Sequence, residues 1–171
     1  MTKFKYVEMI CTLDQANYND KNLIEDIAVK PISSVESDLL FDCYFKAFSI
    51  GDAKFFKLQN DNERRRYFNE ELGFPEVLAC PASFIYKLND KTIGFALVLP
   101  YLEDNYHISC MCILPEYQNR KLGKAMLNRI KNIALENNCK TLTLGTETEM
   151  RAYHLYKNNG FNVTEEHIVE I

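Results

Sequence analysis

The feature that most constrains this chain is one uninterrupted run from Tyr106 to Leu144. A strand-like segment, Tyr106–Leu114, stops at Pro115. A helix over Lys121–Asn137 follows, with Leu122, Met126, Ile130 and Ile133 on one face. Thr141–Leu144 then reads as a second strand. A strand, a helix and a strand in that order predict a right-handed crossover that lays the two strands parallel. Few folds accommodate such a unit without further strands beside it, and the rest of the sequence supplies them.

Residues 3–13 are strand-like, 14–22 turn-forming, and a second strand is expected around Leu23–Val29. Ser33 and Glu36 have capping-box spacing. They precede a helical face of Leu40, Tyr44, Ala47 and Phe48, with Gly51 as its expected stop. A second helical stretch is expected over 53–72. Phe84–Leu88 and Thr92–Leu99 form a hairpin around Asn89-Asp90. Glu149–Asn158 is a short helix ended by Gly160, and the last strand lies within Phe161–Ile171. The order β-β-α-α-β-β-β-α-β-α-β predicts an α/β protein: one domain over 1–171 with a mixed, twisted sheet, helices on both faces, and 1–22 as an additional N-terminal strand and turn.

Composition narrows the class. The hydrophobic fraction is 47% and the charged fraction 26%, as in a soluble globule rather than a disordered chain. No apolar run approaches the ~18 residues needed to span a bilayer, and the first residues do not read as a secretory signal. A cytoplasmic protein with no membrane partner is expected. The net charge of −4 disfavours duplex nucleic acid as partner. The six cysteines contain no C-x-x-C, and three histidines offer little for a metal, so reduced thiols and no metal are expected.

The charge is unevenly spread. Residues 117–135 hold Arg120, Lys121, Lys124, Arg129 and Lys131 and no acid, which leaves −9 for the rest of the chain. They coincide with a strand, a loop and a helix start, where free N–H groups and the helix dipole favour a phosphate. Neither G-x-x-x-x-G-K-[ST] nor G-x-G-x-x-G is present, so the common nucleotide loops are excluded.

The residues Ile113, Pro115, Gln118, Lys121 and Gly123 resemble the V-x-P…[QR]-x-x-G-x-[GA] motif of the GNAT superfamily of N-acetyltransferases. Ala152, Leu155, Tyr156, Gly160 and Phe161 match its second motif, A-x-x-L-Y-x-x-x-G-F, and Ile93–Leu97 resembles its paired strands. The resemblance covers about residues 27–165. It implies a mostly antiparallel GNAT-like sheet and acetyl-CoA as co-substrate. The pyrophosphate would be held at Gln118, Asn119, Arg120, Lys121, Leu122, Gly123 and Lys124, and the pantetheine arm would lie along Cys112, Ile113 and Leu114. It further implies Tyr156 as general acid and His107 as a candidate base, with Glu103, Asp104 and Glu147 as weaker ones. His154 and His167 read as surface or packing residues.

The chain departs from the motif in three places. Lys121 stands where glycine is usual, Glu149 stands where asparagine often contacts the cofactor, and about eleven residues follow Gly160. The short end leaves the sheet to be completed by the N-terminal strand or by a partner chain, as in a homodimer. The acceptor is expected to be a small-molecule or peptide amine. Nine of the 21 Phe and Tyr lie in 41–74, where an aromatic acceptor pocket or plain core are the two readings, and Arg64-Arg65-Arg66 reads as a solvated run. The alternative function is a non-catalytic acyl-CoA-binding sensor on the same fold.

Overall fold

The computed structural model describes residues 1–22, 24–73 and 75–171. Leu23, the expected start of the second strand, and Phe74, the last of the nine clustered aromatics, lie outside the described residues. The elements run β1 (Lys3–Thr12), β2 (Ala28–Pro31), α1 (Ser37–Ser49), α2 (Lys54–Leu58), α3 (Asp61–Tyr67), α4 (Pro75–Ala79), β3 (Phe84–Leu88), β4 (Lys91–Leu102), β5 (Asn105–Ile113), α5 (Leu122–Glu136), β6 (Thr141–Glu147), α6 (Arg151–Asn158) and β7 (Phe161–Glu170). They build one seven-stranded sheet in the order β2-β3-β4-β5-β6-β1-β7.

The α5 crossover makes β5 and β6 parallel, as the sequence predicts; the other pairings are antiparallel. Asn89 and Asp90 take φ of 49° and 63°, the left-handed pair that a two-residue hairpin turn requires. β1 does not extend an edge. It lies between β6 and β7, with Tyr6 opposite Glu147 on one side and His167 on the other. The N-terminal strand therefore joins β6 to β7 within the sheet.

Two apolar layers cover the sheet. Leu122, Met126, Leu127 and Ile130 of α5 pack with Tyr156 of α6 on one face. Leu40, Cys43 and Tyr44 of α1 pack with Phe56, Phe68 and Val77 on the other. Each such buried aliphatic contributes roughly 1.5–3 kcal/mol. All six cysteines are free and buried. No helix among the described residues is long and apolar enough to cross a membrane.

Three expectations are corrected. The box at Ser33 and Glu36 does not form: α1 begins after Glu36 without a side-chain cap, and the capping box belongs to Asn60 and Glu63 at α3. The stretch 53–72 is not one helix, because an extended Gln59 and Asn60 divide it and a wider turn over Phe68–Leu72 ends it. The arginine run is not simply solvated. Arg64 covers the Phe56 ring at 4.4 Å and donates from Nε to the Phe56 carbonyl at 3.0 Å, while Arg65 lies over Phe41 at 3.8 Å and pairs with Asp38.

Candidate active site

The site begins with a local fault in the sheet. Along β5, Ile108 pairs with Val98 but Cys110 pairs with Leu97, so Ser109 is an extra residue, a β-bulge. A one-residue slip exchanges the two faces of a strand. Tyr106 and Ile108 accordingly join the layer under α5, while Cys110 and Cys112 join the layer under α1. Pairing between β5 and β6 ends at the same point: its last partners are Ile108 and Leu144. Beyond them Cys110–Ile113 is held by β4, and Gly145–Glu147 by β1. Two strand edges thus face a gap, with backbone groups able to pair with an extended ligand.

The gap is a cleft of about 420 Å³, lined by Ser109–Met111, Leu144–Glu147, Tyr156 and an aromatic wall from β1, α1, α2 and α3. Tyr156 is buried, and burial raises the pKa of its hydroxyl, so it is protonated at neutral pH. The Tyr6 ring crosses Gly145 so closely that a Cβ there would lie 1.7 Å from the Tyr6 hydroxyl. Any larger residue there must displace the Tyr6 ring. Glu147, 5% exposed, accepts from the backbone N–H groups of Lys54 and Phe55 at 2.7 and 3.0 Å. Its carboxylate thereby satisfies two donors at the start of α2, where intrahelical acceptors are lacking.

The loop at the mouth of the gap holds Gln118 to Lys124. The Gln118 side-chain amide donates to the Ile113 carbonyl at 2.8 Å, tying the loop to β5. The Leu114 N–H donates to Ile93 at 2.8 Å, so that group is spent within the sheet. Asn119 and Lys121 both take left-handed conformations, with φ of 60° and 62°. The lysine departure at 121 therefore keeps the backbone shape that a glycine takes without strain. The Ala125 N–H gives the first i→i−4 bond of α5, to Lys121 at 3.1 Å. The N–H groups of Leu122, Gly123 and Lys124 precede that ladder and can receive an anion.

The basic run is smaller at the surface than its charge suggests. Arg120, Lys121 and Lys124 are exposed beside the loop. Lys131 is 3% exposed: its Nζ donates to the Asn159 carbonyl and lies 4.7 Å from the Tyr18 ring. Arg129 turns toward Phe84, with its ring 6.0 Å away. Lys121 and Lys124 also line a separate polar hollow of about 690 Å³ between α5, the loop after β1 and Asn158–Asn162.

His107 lies on the still-paired part of β5. Its Nδ1 is 2.9 Å from the Thr143 hydroxyl, burial lowers its pKa, and it does not line the cleft. Glu103 and Asp104 sit in the β4–β5 turn at the far end of that strand, where Asp104 pairs with Lys140 at 3.3 Å. Glu149 pairs with Lys54 at 2.7 Å. Glu8, Glu165 and His167 form an exposed group with ligand spacing on the β1–β7 surface. The aromatic wall contributed by Phe4 and Tyr6 of β1 has no motif to announce it; only the strand order brings it to the cleft.

Comparison with known proteins agrees with this geometry. Residues 38–161 match the sequence profile of the acetyltransferase (GNAT) family. No curated protein matches the sequence. In structure the chain is similar to a GCN5-related N-acetyltransferase from Sphaerobacter thermophilus, with a TM-score of 0.70 and 16% identity over 98% of this chain and 51% of that one. It is also similar to the PaiA N-acetyltransferase from Thermoplasma acidophilum in complex with coenzyme A, with a TM-score of 0.66 and 16% identity over 81% and 91% of the two chains. The chain thus spans about half the length of the Sphaerobacter protein and nearly the full length of the Thermoplasma one. The profile match covers more than half of the sequence, and with it the chain belongs to the acetyltransferase (GNAT) family.

Proposed function

We propose that the protein is an acetyl-CoA-dependent N-acetyltransferase that transfers acetyl directly to a primary amine of a small molecule or peptide in a ternary complex. The observation that carries this is the parting of β5 and β6 at the Ser109 bulge, with Tyr156 buried at the gap. The backbone N–H of Ile113 receives the pantetheine arm, because Cys112 and Leu114, the residues on either side, turn their backbone groups to β4. The N–H groups of Asn119 to Lys124 hold the pyrophosphate, with Arg120, Lys121 and Lys124 adding charge.

The chemistry follows from acidities. A free alkylamine has pKa ~10.4, so making it nucleophilic at pH 7 costs roughly 4–5 kcal/mol. The cleft reduces that cost by excluding water from the ammonium, which favours the neutral amine. The amine nitrogen attacks the thioester carbonyl, the C–S bond breaks, and the proton lost by the nitrogen passes to solvent water at the mouth of the cleft, from which the Tyr156 hydroxyl is restored after it donates. Tyr156, kept protonated by its burial, gives its proton to the departing thiolate. His107, expected as a base, instead contacts Thr143, whose hydroxyl donates to Asn105 at 3.2 Å; neither lines the cleft, so His107 takes no part in proton transfer in this reading.

Turnover by Tyr156→Phe tests the reading. Thiol release from acetyl-CoA should fall about 10²–10⁴-fold with little change in acetyl-CoA affinity, the range for loss of one acid. Undiminished turnover would remove Tyr156 from the mechanism. Tight acetyl-CoA binding with no transfer to any amine would instead favour a sensor.

A further inference from the structure

The charge balance inside the cleft goes beyond naming a reaction, because it sets what kind of amine can occupy it. Resting on the transferase reading above, we propose that the acceptor is a primary monoamine carried on a single aromatic or aliphatic body, with no carboxylate, phosphate or second ammonium. Three observations converge on this class.

First, the surroundings of the parted strands, the neighbouring β1 and the helices above the sheet, are aromatic. Phe4 and Tyr6 of β1, Tyr44 and Phe48 of α1, Phe55 of α2 and Tyr67 of α3 all line the cleft. The rings are packed against one another, with Tyr44 and Phe48 at 4.7 Å and Phe55 and Tyr67 at 5.5 Å between centroids. They present fixed faces to a flat or apolar group, which gains from leaving water.

Second, the described lining contains no lysine, arginine or histidine. A carboxylate on the acceptor, as in a free amino acid, would be desolvated there without a counter-charge, a cost that a pocket of this kind does not recover.

Third, the one acid in the lining is Glu147, and both its oxygens already accept backbone N–H groups of α2. Nearby Glu149 is paired with Lys54. The lone pairs left on Glu147 can take one ammonium at most, so the further ammonium groups of a polyamine or aminoglycoside find no carboxylate in the described wall. A single amine avoids that cost by entering neutral, as the attack on the thioester requires.

The test is a competition of amines with wild-type enzyme and acetyl-CoA, read by thiol release and by mass of the acetylated product. The panel is 2-phenylethylamine, L-phenylalanine, spermidine and kanamycin. We expect kcat/KM for 2-phenylethylamine to exceed each of the others by at least about tenfold, the scale on which one misplaced group in a pocket discriminates. A preference for spermidine, kanamycin or L-phenylalanine overturns the acceptor class and leaves the transferase reading standing. Acetyl-CoA binding with no amine acetylated overturns both. A variant gives a second handle: Phe55 is 38% exposed, so Phe55→Glu should fold. It should lower kcat/KM for 2-phenylethylamine and raise it for spermidine; unchanged values for both overturn the assignment of this wall to the acceptor.

Discussion

Glu147 offers the sharpest separation between a structural and a chemical role. It is the single acid in the described lining of the cleft, and the sequence makes it, with Glu103 and Asp104, a weaker candidate base than His107. Its geometry argues against that role, because both oxygens are engaged by the N–H groups of Lys54 and Phe55 at 2.7 and 3.0 Å, and the residue is 5% exposed. In Glu147→Gln one oxygen can keep one of these bonds. The other position becomes an NH₂ facing an N–H, so a charge-assisted bond is lost and a buried donor is orphaned. Each effect is worth about 1–3 kcal/mol and they overlap, for a total of about 2–3 kcal/mol. For a chain of this length that corresponds to a Tm lowered by about 5–10 °C. Differential scanning calorimetry at neutral pH measures it. The turnover of the folded variant, assayed well below its Tm, should fall less than about tenfold with an unchanged pH profile. A variant with wild-type Tm and turnover reduced by 10²-fold or more would refute the reasoning and make Glu147 the base.

Two further outcomes follow from the packing. Gly145→Ala places a methyl within bond length of the Tyr6 hydroxyl, so the Tyr6 ring, whose backbone is held by ladders on both sides of β1, must rotate away from the sheet. Urea unfolding should show a loss of about 1–3 kcal/mol, and Tyr6→Leu in the same chain should restore part of it; additive losses would contradict the contact. The pKa of His107 is lowered, chiefly by its burial and against a smaller opposing pull from Glu8. Below pH ~6.5 the unfolded chain therefore binds a proton that the folded chain resists. That contribution to stability is complete above this pH and declines as pH falls toward the folded value. His107→Gln should show a shallower loss of Tm between pH 7 and 5 than the wild type; an equal slope would contradict the assignment.

Local signals in the sequence carry far. The α5 stripe, the Asn89-Asp90 turn and the helix ended by Gly160 are read from short windows, and the structure has them in place. The Asn60…Glu63 box was equally readable and marks the break between α2 and α3. Distant choices are another matter. The alternation in β1 predicts a strand but cannot say that it enters between β6 and β7, and so it cannot place Phe4 and Tyr6 at the cleft. The charge of Lys131 suggests a solvent-facing helix. It is buried because the loop after β1 folds over α5, held by Asn128 to Asn19 and by Asn132 to Tyr18. The two motifs locate Tyr156 and the loop at 118–124. The parting of the strands depends on one residue, Ser109, that no motif contains.

On the proposed function, the gap between β5 and β6 receives the thioester. A crystal structure with coenzyme A tests it most directly. The pantetheine arm should lie between Ser109–Ile113 and Gly145–Glu147, its sulfur near the Tyr156 hydroxyl, with the pyrophosphate against the N–H groups of Asn119 to Lys124. Coenzyme A bound only in the hollow beside α5, or β5 and β6 paired along their whole length with the ligand elsewhere, would contradict it.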